Sequence, residues 1–340
     1  MGHINIPIFI PHLGCPNQCI FCNQRYISGA LEFDESSVEK EIEAVLSTIK
    51  PSDEAEIAFF GGSFTGIDRA LMIRLLDTAQ KYVDLGKVSG IRMSTRPDYI
   101  SDEIIDILKK YKVSCVELGI QSVNDNVLRY LKRGHTRKDT ENAMKLLKNN
   151  GFSFVGQMMI GLPTATIDDE IACARMICEY GASGARIYPT LVFKMTELEE
   201  IAQKGEYSPM TVEEAVLRSA NVLEIFNQSN VECIRIGLCE SENLHSDRTF
   251  VSGPNHPSIG EMVKSELFLR KIEKIISGNK YKSIIILCPR GTTSQIIGNK
   301  KKNIEKIKKN YEISLVKVLE TDKLKNYDIE IYEKEDYGCI

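Results

Sequence analysis

From residue 3 to about residue 240, short apolar runs alternate with longer amphipathic segments. This alternation is typical of strands that are each followed by a helix and that lie side by side in a parallel sheet. The apolar runs predict strands at residues 4–9, 56–60, 90–94, 114–120, 154–161 and 185–192. Helical spacing of apolar residues predicts helices at 38–49, 70–83, 102–111, 138–149, 166–180 and 212–227. The sequence therefore predicts an α/β fold with six β/α units.

The loops that follow the predicted strands are rich in Gly, Pro, Ser and Thr, whereas the opposite connections are plainer. In parallel α/β folds, functional residues gather at the carboxyl ends of the strands. We therefore expect a functional site among these loops.

The pattern changes after residue 250, where a glycine and two prolines interrupt the chain and Ile259–Ile276 has the pattern of one long helix. Turn-forming residues at 277–279 place a boundary near 278. We therefore expect a main domain over 1–278, with the long helix as its extension, and a small basic domain over 279–340. The small domain is predicted to be βααβ, with elements at 283–288, 292–297, 303–309 and 313–319.

Composition excludes several classes of protein. With 340 residues, of which 43% are apolar and 26% charged, the chain matches an ordinary globular protein of about two domains. Its apolar runs are shorter than the roughly 18 residues of a membrane span, and its start lacks a signal-peptide pattern, so we expect a cytoplasmic protein with no membrane partner. Ten cysteines are too sparse for a disulfide scaffold, which leaves metal ligation or buried thiols.

Charge is distributed unevenly along the chain. The net charge is −4, but residues 270–310 contain 12 Lys and Arg against 2 Asp and Glu. An acidic main domain with a basic appendage is the pattern of a module that binds a polyanion such as RNA. The alternative is a lysine-rich helix that only faces solvent.

The densest chemical signal is the loop Gly14-Cys15-Pro16-Asn17-Gln18-Cys19-Ile20-Phe21-Cys22, which follows the first predicted strand. It offers three thiolates with the spacing C-x3-C-x2-C. Iron–sulfur clusters usually take four thiolates, so three leave one iron open, as a catalytic metal site requires. Two alternatives remain, namely buried reduced cysteines and a zinc site with His12 as the fourth ligand.

This spacing, with an aromatic residue just before the last Cys, resembles the radical S-adenosylmethionine (radical SAM) superfamily. The resemblance implies a partial (β/α)6 TIM-like barrel, and a [4Fe-4S] cluster on Cys15, Cys19 and Cys22. It further implies that the methionyl group of SAM chelates the fourth iron and that one electron cleaves SAM to a 5′-deoxyadenosyl radical. An electron donor similar to flavodoxin or ferredoxin would be a partner.

Other strand ends supply candidate cofactor contacts. FFGGSFTG resembles the family loop that accepts the cofactor amine, because glycine lets backbone carbonyls approach a ligand closely. Similarity to coproporphyrinogen-oxidase-like members implies that Gln121, Arg133 and Gln157 face the cofactor. Physically, Arg133 can bind the methionyl carboxylate, and Gln121 and Gln157 can bind ribose hydroxyls. Tyr188, in the last predicted strand, is a candidate for contact with adenine. The family often has acids where Ser94 and Gln157 stand. The cofactor-binding candidates are Phe21, Gly61, Gly62, Ser63, Ser94, Gln121, Arg133, Gln157 and Tyr188.

These candidates also have ordinary interpretations, as polar residues at strand ends or as core aromatics. His135 could be either a surface histidine beside a helix or a catalytic residue.

Over residues 1–270 the sequence resembles the Elongator catalytic-subunit-like branch of radical SAM proteins, whose members act on RNA. The segments that carry the resemblance are GCPNQCIFCNQ, FFGGSFTG, STRPDYI, ELGIQS, RGHT, RIYPTLV and GPNHPSIGEMV. The branch's best-known form adds a C-terminal acetyltransferase domain, for which the residues after Gly260 are too few. We therefore expect no use of acetyl-CoA.

In the small domain, IIGNKKKNIEKI matches the pattern I-I-G-x-x-G-x-x-I-x-x-I at every position but one. The match resembles the core of a KH-type module, whose loop clamps single-stranded RNA. Gly298, Lys300, Lys301 and Lys302 are the implied RNA contacts, and Lys301 replaces the second glycine. The alternative is a docking domain with a lysine-rich surface. Cys339, near the end of the chain, is a candidate catalytic thiol like those of some radical SAM methylases.

These observations favour a radical SAM enzyme that modifies an RNA, either tRNA or rRNA. A second hypothesis keeps the radical chemistry but directs it at a peptide or a small metabolite. A third is a zinc-stabilised RNA-binding factor that catalyses nothing.

Overall fold

The computed structural model describes residues 3–23, 33–50, 53–238 and 249–335. Its main feature is a curled half-barrel sheet of seven parallel strands, in the order β1-β2-β3-β4-β5-β6-β8. The strands are β1 (His3–Ile10), β2 (Glu54–Gly61), β3 (Gly90–Thr95), β4 (Val113–Gln121), β5 (Phe154–Ile160), β6 (Gly184–Pro189) and β8 (Glu232–Ile236). The fold class predicted from the sequence is confirmed.

Helices alternate with these strands along the chain. They are α1 (Val38–Leu46), α2 (Arg69–Asp84), α3 (Asp102–Leu108), α4 (Asp125–Tyr130), α5 (Arg137–Asn149), α6 (Ile167–Glu179), α7 (Glu197–Gln203), α8 (Val212–Gln228) and α9 (Ile259–Ile276). Three of them begin at capping boxes, in which Thr136, Thr166 and Thr211 exchange hydrogen bonds with the acid three residues later. None of the helices in the described ranges is long and apolar enough to cross a membrane.

The two faces of the sheet differ because side chains alternate along each strand. In β1, Ile6, Ile8 and Ile10 are buried in the main core, whereas Phe9 is 39% exposed and lines a cavity on the concave side. In β4, Val116 belongs to the core, and residues between the core positions line the same cavity. The outward positions therefore stabilise the fold, and the inward positions form the site.

Two differences from the predicted strands have simple causes. The seventh strand, β8, has no counterpart among the predicted strands, since its sequence ECIRI mixes charged and apolar residues and none of the five is fully buried. The predicted strand 185–192 ends earlier, at Pro189. Val192 belongs instead to β7 (Val192–Phe193), which pairs antiparallel with β9 (Phe250–Ser252).

The small domain contains one strand more than predicted. Its elements are β10 (Ser283–Pro289), α10 (Thr293–Ile297), α11 (Lys302–Tyr311), β11 (Leu315–Thr321) and β12 (Glu330–Glu333). β10 lies in the middle, parallel to β11 and antiparallel to β12, the unpredicted strand. Helix α9 joins the two parts, because Val263 packs in the main core while Phe268 and Ile272 pack in the small core.

Candidate cofactor site at the thiol loop

A cavity of about 470 Å³ opens at the carboxyl ends of the strands. Residues from six strands and from the thiol loop, defined here as residues 14–22, line it. Every cofactor-binding candidate from the sequence lies on its wall, together with two of the three cysteines. These residues are Cys15, Phe21, Cys22, Gly61, Gly62, Ser63, Ser94, Gln121, Arg133, Gln157 and Tyr188.

The thiol loop packs directly on the backbone of the glycine loop, residues 61–66. The Ser63 amide donates to the carbonyl of Leu13 over 2.9 Å, and the Cys15 Sγ lies 3.5 Å from the Ser63 Oγ. Gly14 has a φ of +71°, and a Cβ there would overlap the carbonyl oxygen of Ser63. A Cβ at Gly62 would overlap the carbonyl oxygen of Leu13. Glycine is thus required on both sides of this contact.

The three cysteines of the thiol loop face different spaces. Cys15 and Cys22 line the cofactor cavity, whereas Cys19 is only 6% exposed and lines, with Cys22, a second cavity of about 860 Å³. Arg133 Nη1 donates to Cys19 Sγ over 3.6 Å. Within the described part of the chain, no three Cys, His, Asp or Glu side chains converge tightly enough to hold a metal ion, and this applies to the three cysteines of the thiol loop as well as to His12.

Several polar atoms on or beside the cavity wall are buried without a partner. Arg133 Nη2 donates to the Gly119 carbonyl over 2.7 Å, but Arg133 Nε has no hydrogen-bond partner among the residues described. Gln121 Oε1 also has no hydrogen-bond partner among the residues described, and Gln121 has an unusual φ of +66°. Buried polar groups are normally paired, so these atoms mark where a ligand would complete the site.

His135 is not a surface histidine. It is 3% exposed, and its Nε2 lies 3.2 Å from the carbonyl oxygen of Ile120, which makes Nε2 the donor. Burial, together with the charges of Arg133 and Arg96, lowers its pKa from 6.5 to about 3. His135 is therefore neutral near pH 7, and its Nδ1 has no partner in the described residues.

Glu117 belongs to the site, although sequence patterns assign it no role. It is 1% exposed and accepts two hydrogen bonds from Arg186, at 2.8 and 2.9 Å, and one from Arg92 at 3.1 Å. Gln157 Nε2 donates to the same carboxylate over 2.7 Å. Burial works against its charge, but Arg186, Gln157 and Arg92 together hold the pKa of Glu117 below its ordinary value. An acid at an inward position of an apolar strand is the signal in the sequence that could have found it.

Arg96 is a second site residue that sequence patterns do not identify. It follows β3, lines the cavity and is 1% exposed. Its Nε and Nη2 donate to Asp98 over 2.9 and 2.7 Å, while Nη1 is buried without a partner in the described chain. The motif STRPDYI contains both residues, but no local pattern shows that the arginine points inward.

The RNA-contact candidates lie elsewhere, in the turn between α10 and α11. Gly298, Lys300 and Lys301 have φ values of +75°, +50° and +64°, and the lysines at 300–302 are exposed. Asn303 fixes this turn to α9, because its Nδ2 donates to the Ser265 Oγ over 3.0 Å and to the Ile296 carbonyl over 3.2 Å. Cys339 lies outside the described residues.

Comparison with known proteins gives two family matches. Residues 9–177 match the model described as the Radical SAM superfamily, and residues 182–268 match the model described as the Radical_SAM C-terminal domain. The two matches together span the thiol loop, the half-barrel apart from most of β1, and the first ten residues of α9.

Individual relatives agree with these matches. The tRNA uridine(34) acetyltransferase of Methanocaldococcus infernus is 32% identical over 186 residues, which are 49% of this chain and 35% of that protein. An uncharacterized protein of Methanocaldococcus jannaschii is 29% identical over 234 residues, which are 64% of this chain and 70% of that one. The matched region thus spans about a third of the length of the acetyltransferase.

A solved structure shares the fold. N-terminally truncated Elp3 of Methanocaldococcus infernus superposes with a TM-score of 0.62 at 24% identity, covering 81% of this chain and 63% of that one.

Proposed function

The chain belongs to the radical SAM superfamily, and on that premise we propose that it cleaves S-adenosylmethionine reductively at a [4Fe-4S] cluster in order to modify an RNA. The observation that carries the proposal is the cavity that brings thiols of the C-x3-C-x2-C loop together with all the cofactor candidates. When bound, the cluster would supply the electron that breaks a carbon–sulfur bond of the cofactor to give a 5′-deoxyadenosyl radical.

The chemistry of the residues present fits this pair of groups, and the three thiols would have to draw closer together to share one cluster. Cys15, Cys19 and Cys22 offer three thiolates, which suit iron and leave one iron of a cubane for another ligand. The unpartnered Nε of Arg133 supports a role in binding the methionyl carboxylate, and the unpartnered Oε1 of Gln121 supports accepting a bond from a ribose hydroxyl. Gly61 and Gly62 line the cavity without side chains, so a backbone carbonyl group there would meet the cofactor amine.

Hydrogen bonds to Glu117 at the floor of the cavity fix the side chains that would position a bound cofactor. Glu117 accepts one of the two amide N–H groups of Gln157 and so orients this amide, which leaves the amide oxygen and one N–H to meet a ribose. Arg186 is held at the same time by the two carboxylate oxygens of Glu117. Side chains tied in this way keep one orientation and exclude alternative poses of the bound molecule.

An RNA substrate is supported by the basic appendage. Residues 270–310 contain 12 Lys and Arg against 2 Asp and Glu, and the turn at 298–302 presents three exposed lysines. Ammonium groups in a turn held open by two left-handed residues suit contact with a phosphate backbone. The relatives named for tRNA uridine(34) favour tRNA over other RNA classes. Acetyl transfer is no part of the proposal, since the match covers only 35% of that relative.

Cluster assembly and cofactor cleavage test the enzyme proposal directly. Anaerobic reconstitution should give about four irons per chain, and a flavodoxin- or ferredoxin-type donor, or dithionite, should then drive formation of 5′-deoxyadenosine. Alanine at Cys15, Cys19 or Cys22 should abolish both. Cys178→Ala, which removes a half-buried thiol on α6, is the matched control and should change neither. One bound zinc and no deoxyadenosine would refute the proposal.

RNA binding is tested separately. Lys300→Glu with Lys302→Glu should weaken tRNA binding and reduce the slope of log affinity against log salt by about 1 for each phosphate that is no longer neutralised. Lys323→Glu with Lys325→Glu makes the same charge change elsewhere on the exposed surface of the small domain and should have little effect. If the protein cleaves the cofactor but does not bind RNA, its substrate is a peptide or a small metabolite. A nucleoside missing from tRNA or rRNA of a deletion strain would identify the reaction.

A further inference from the structure

Two guanidinium groups are buried behind the thiol loop, and only part of their hydrogen-bonding capacity is used. Arg133 contacts Cys19 Sγ over 3.6 Å and the Gly119 carbonyl over 2.7 Å, and neither contact is to a carboxylate. Arg96 forms a two-pronged ion pair with Asp98. Arg96 Nη1 and Arg133 Nε lack partners within the described ranges. The proposed function assigns Arg133 a ligand but leaves Arg96 without one.

Arg96 lies close to the thiol loop. At Gly134, whose φ is +82°, an added Cβ would overlap the side-chain amide of Asn17 and would lie 3.0 Å from Arg96 Nη2. Asn17 stands between Cys15 and Cys19 in the chain, so its side chain brings the thiol loop close to this guanidinium. Burial works against the charge of Arg96, yet Asp98, Cys19 and Cys15 together hold its pKa above the ordinary value.

An arginine that served packing alone would be expected to satisfy its donors. A buried guanidinium is costly to desolvate, and leaving one of its nitrogens unpaired adds to that cost. Asp98 is itself only partly buried, with a quarter of its side chain exposed, so solvent screens the negative charge that it offers. Arg96 and Asp98, taken together with Arg133, therefore leave one positive charge in excess near Cys15 and Cys19.

We propose that Arg96 is a charge-setting residue of the site, whose guanidinium stabilises the extra negative charge that a cluster on Cys15, Cys19 and Cys22 gains on reduction. The proposal rests on the proposed function, because it needs a cluster at those thiols. Net charge and hydrogen bonds around an iron–sulfur cluster set its reduction potential. A positive charge at short range and low dielectric favours the reduced form. Arg96 therefore raises the potential and eases electron entry, and Asp98 moderates the effect.

Charge-changing variants of both partners test this assignment. The midpoint potential of the reconstituted full-length protein is measured by redox titration followed by electron paramagnetic resonance, without SAM. Arg96→Met should shift the potential to more negative values. Asp98→Asn should shift it in the opposite direction and by less, because Asp98 is more exposed. Arg96→Lys should stay close to the wild type. Arg74→Met, at an exposed arginine paired with Glu35, is the control and should cause no shift.

The opposite signs of the two expected potential shifts distinguish an effect of charge from an effect of altered structure. If Arg96 only held the loop in place, both variants would loosen the same contact and shift the potential in the same direction, or not at all, and either result would overturn the proposal. If Arg96→Met fails to assemble a cluster, Asp98→Asn and Arg96→Lys still decide between the accounts. Thermal unfolding of the apo variants reports any loss of fold independently. A wild-type protein that assembles no cubane would instead refute the proposed function.

Discussion

Replacing Gly14 by alanine tests whether contact between the thiol loop and the glycine loop builds the site. Gly14 has a φ of +71°, and an added Cβ would overlap the Ser63 carbonyl oxygen and lie 2.8 Å from main-chain atoms of Gly66 and Ile67. All three neighbours are backbone, so no side chain can swing aside. The thiol loop or the glycine loop must move as a whole.

Gly86→Ala is a matched control for the loss of stability expected in Gly14→Ala. Its φ is +67°, and no described atom lies within 4 Å of a Cβ built there. In both variants alanine must adopt a left-handed conformation, which costs about 1–2 kcal/mol of stability. Gly14→Ala adds the cost of overpacking, typically about 1–3 kcal/mol. We therefore expect Gly14→Ala to lose about 2–5 kcal/mol of stability and Gly86→Ala at most about 2 kcal/mol.

Urea unfolding measures the two stabilities, and iron content with 5′-deoxyadenosine formation measures the site. Displacing a positioning loop by about 1 Å can reduce turnover about 100-fold, so Gly14→Ala should also lose activity while Gly86→Ala keeps it. Equal stability of the two variants, with full iron content in Gly14→Ala, would show that the loop contact is not what builds the site.

Two further predictions concern buried charge. Glu117→Gln should destabilise the protein by about 3–5 kcal/mol in urea, because Arg186 loses the buried carboxylate that it pairs with and Arg92 keeps only Glu56 of its two described carboxylates. Glu35→Gln, at a surface ion pair, should change stability little. Similar effects of the two substitutions would contradict the network. Because burial, Arg133 and Arg96 lower the pKa of His135 from 6.5 to about 3, the unfolded chain takes up a proton in that range that the folded chain refuses. The free energy of unfolding should therefore fall as the pH drops from about 6.5 towards 3, by up to about 1.4 kcal/mol per pH unit. In His135→Gln the free energy of unfolding should fall less steeply over the same range. If its slope against pH equals that of the wild type, a group other than His135 takes up the proton on unfolding.

Local sequence patterns predict the elements that have strong periodicity. Helix α9, with apolar residues repeating along its length, has the predicted bounds Ile259–Ile276. The first six parallel strands lie where apolar runs place them, with ends within a few residues. The cofactor candidates share one cavity because the carboxyl ends of neighbouring parallel strands meet at one edge of the sheet. Strand order and motif position together are therefore enough to gather them.

What the sequence could not supply depends on pairing between distant residues. Strand β8 is recognisable only through its pairing with β6, and β12 only through its pairing with β10. By sequence His135 resembles a polar residue before a helix, yet packing brings it beside Ile120. The roles of Glu117 and Arg96 follow from where their partners lie.

The arrangement of charge also bears on the choice between a cofactor and a structural zinc. On the cavity floor, carboxylates and guanidiniums are matched, since Glu117 pairs with Arg186 and Arg92, and Arg92 also pairs with Glu56. Around the thiol loop, Arg96 pairs with Asp98, but Arg133 donates to the Cys19 sulfur and the Gly119 carbonyl and has no carboxylate partner in the described residues. The thiols there face two buried guanidiniums and, at Gln121, an acceptor without a donor. A zinc ion closed by four protein ligands would satisfy neither feature. A ligand that brings a carboxylate and several hydroxyl and amine donors would satisfy both, and a cavity of about 470 Å³ offers it room. The unpaired guanidinium of Arg133 and the unpartnered oxygen of Gln121 therefore favour an organic cofactor beside the thiols over a purely structural metal.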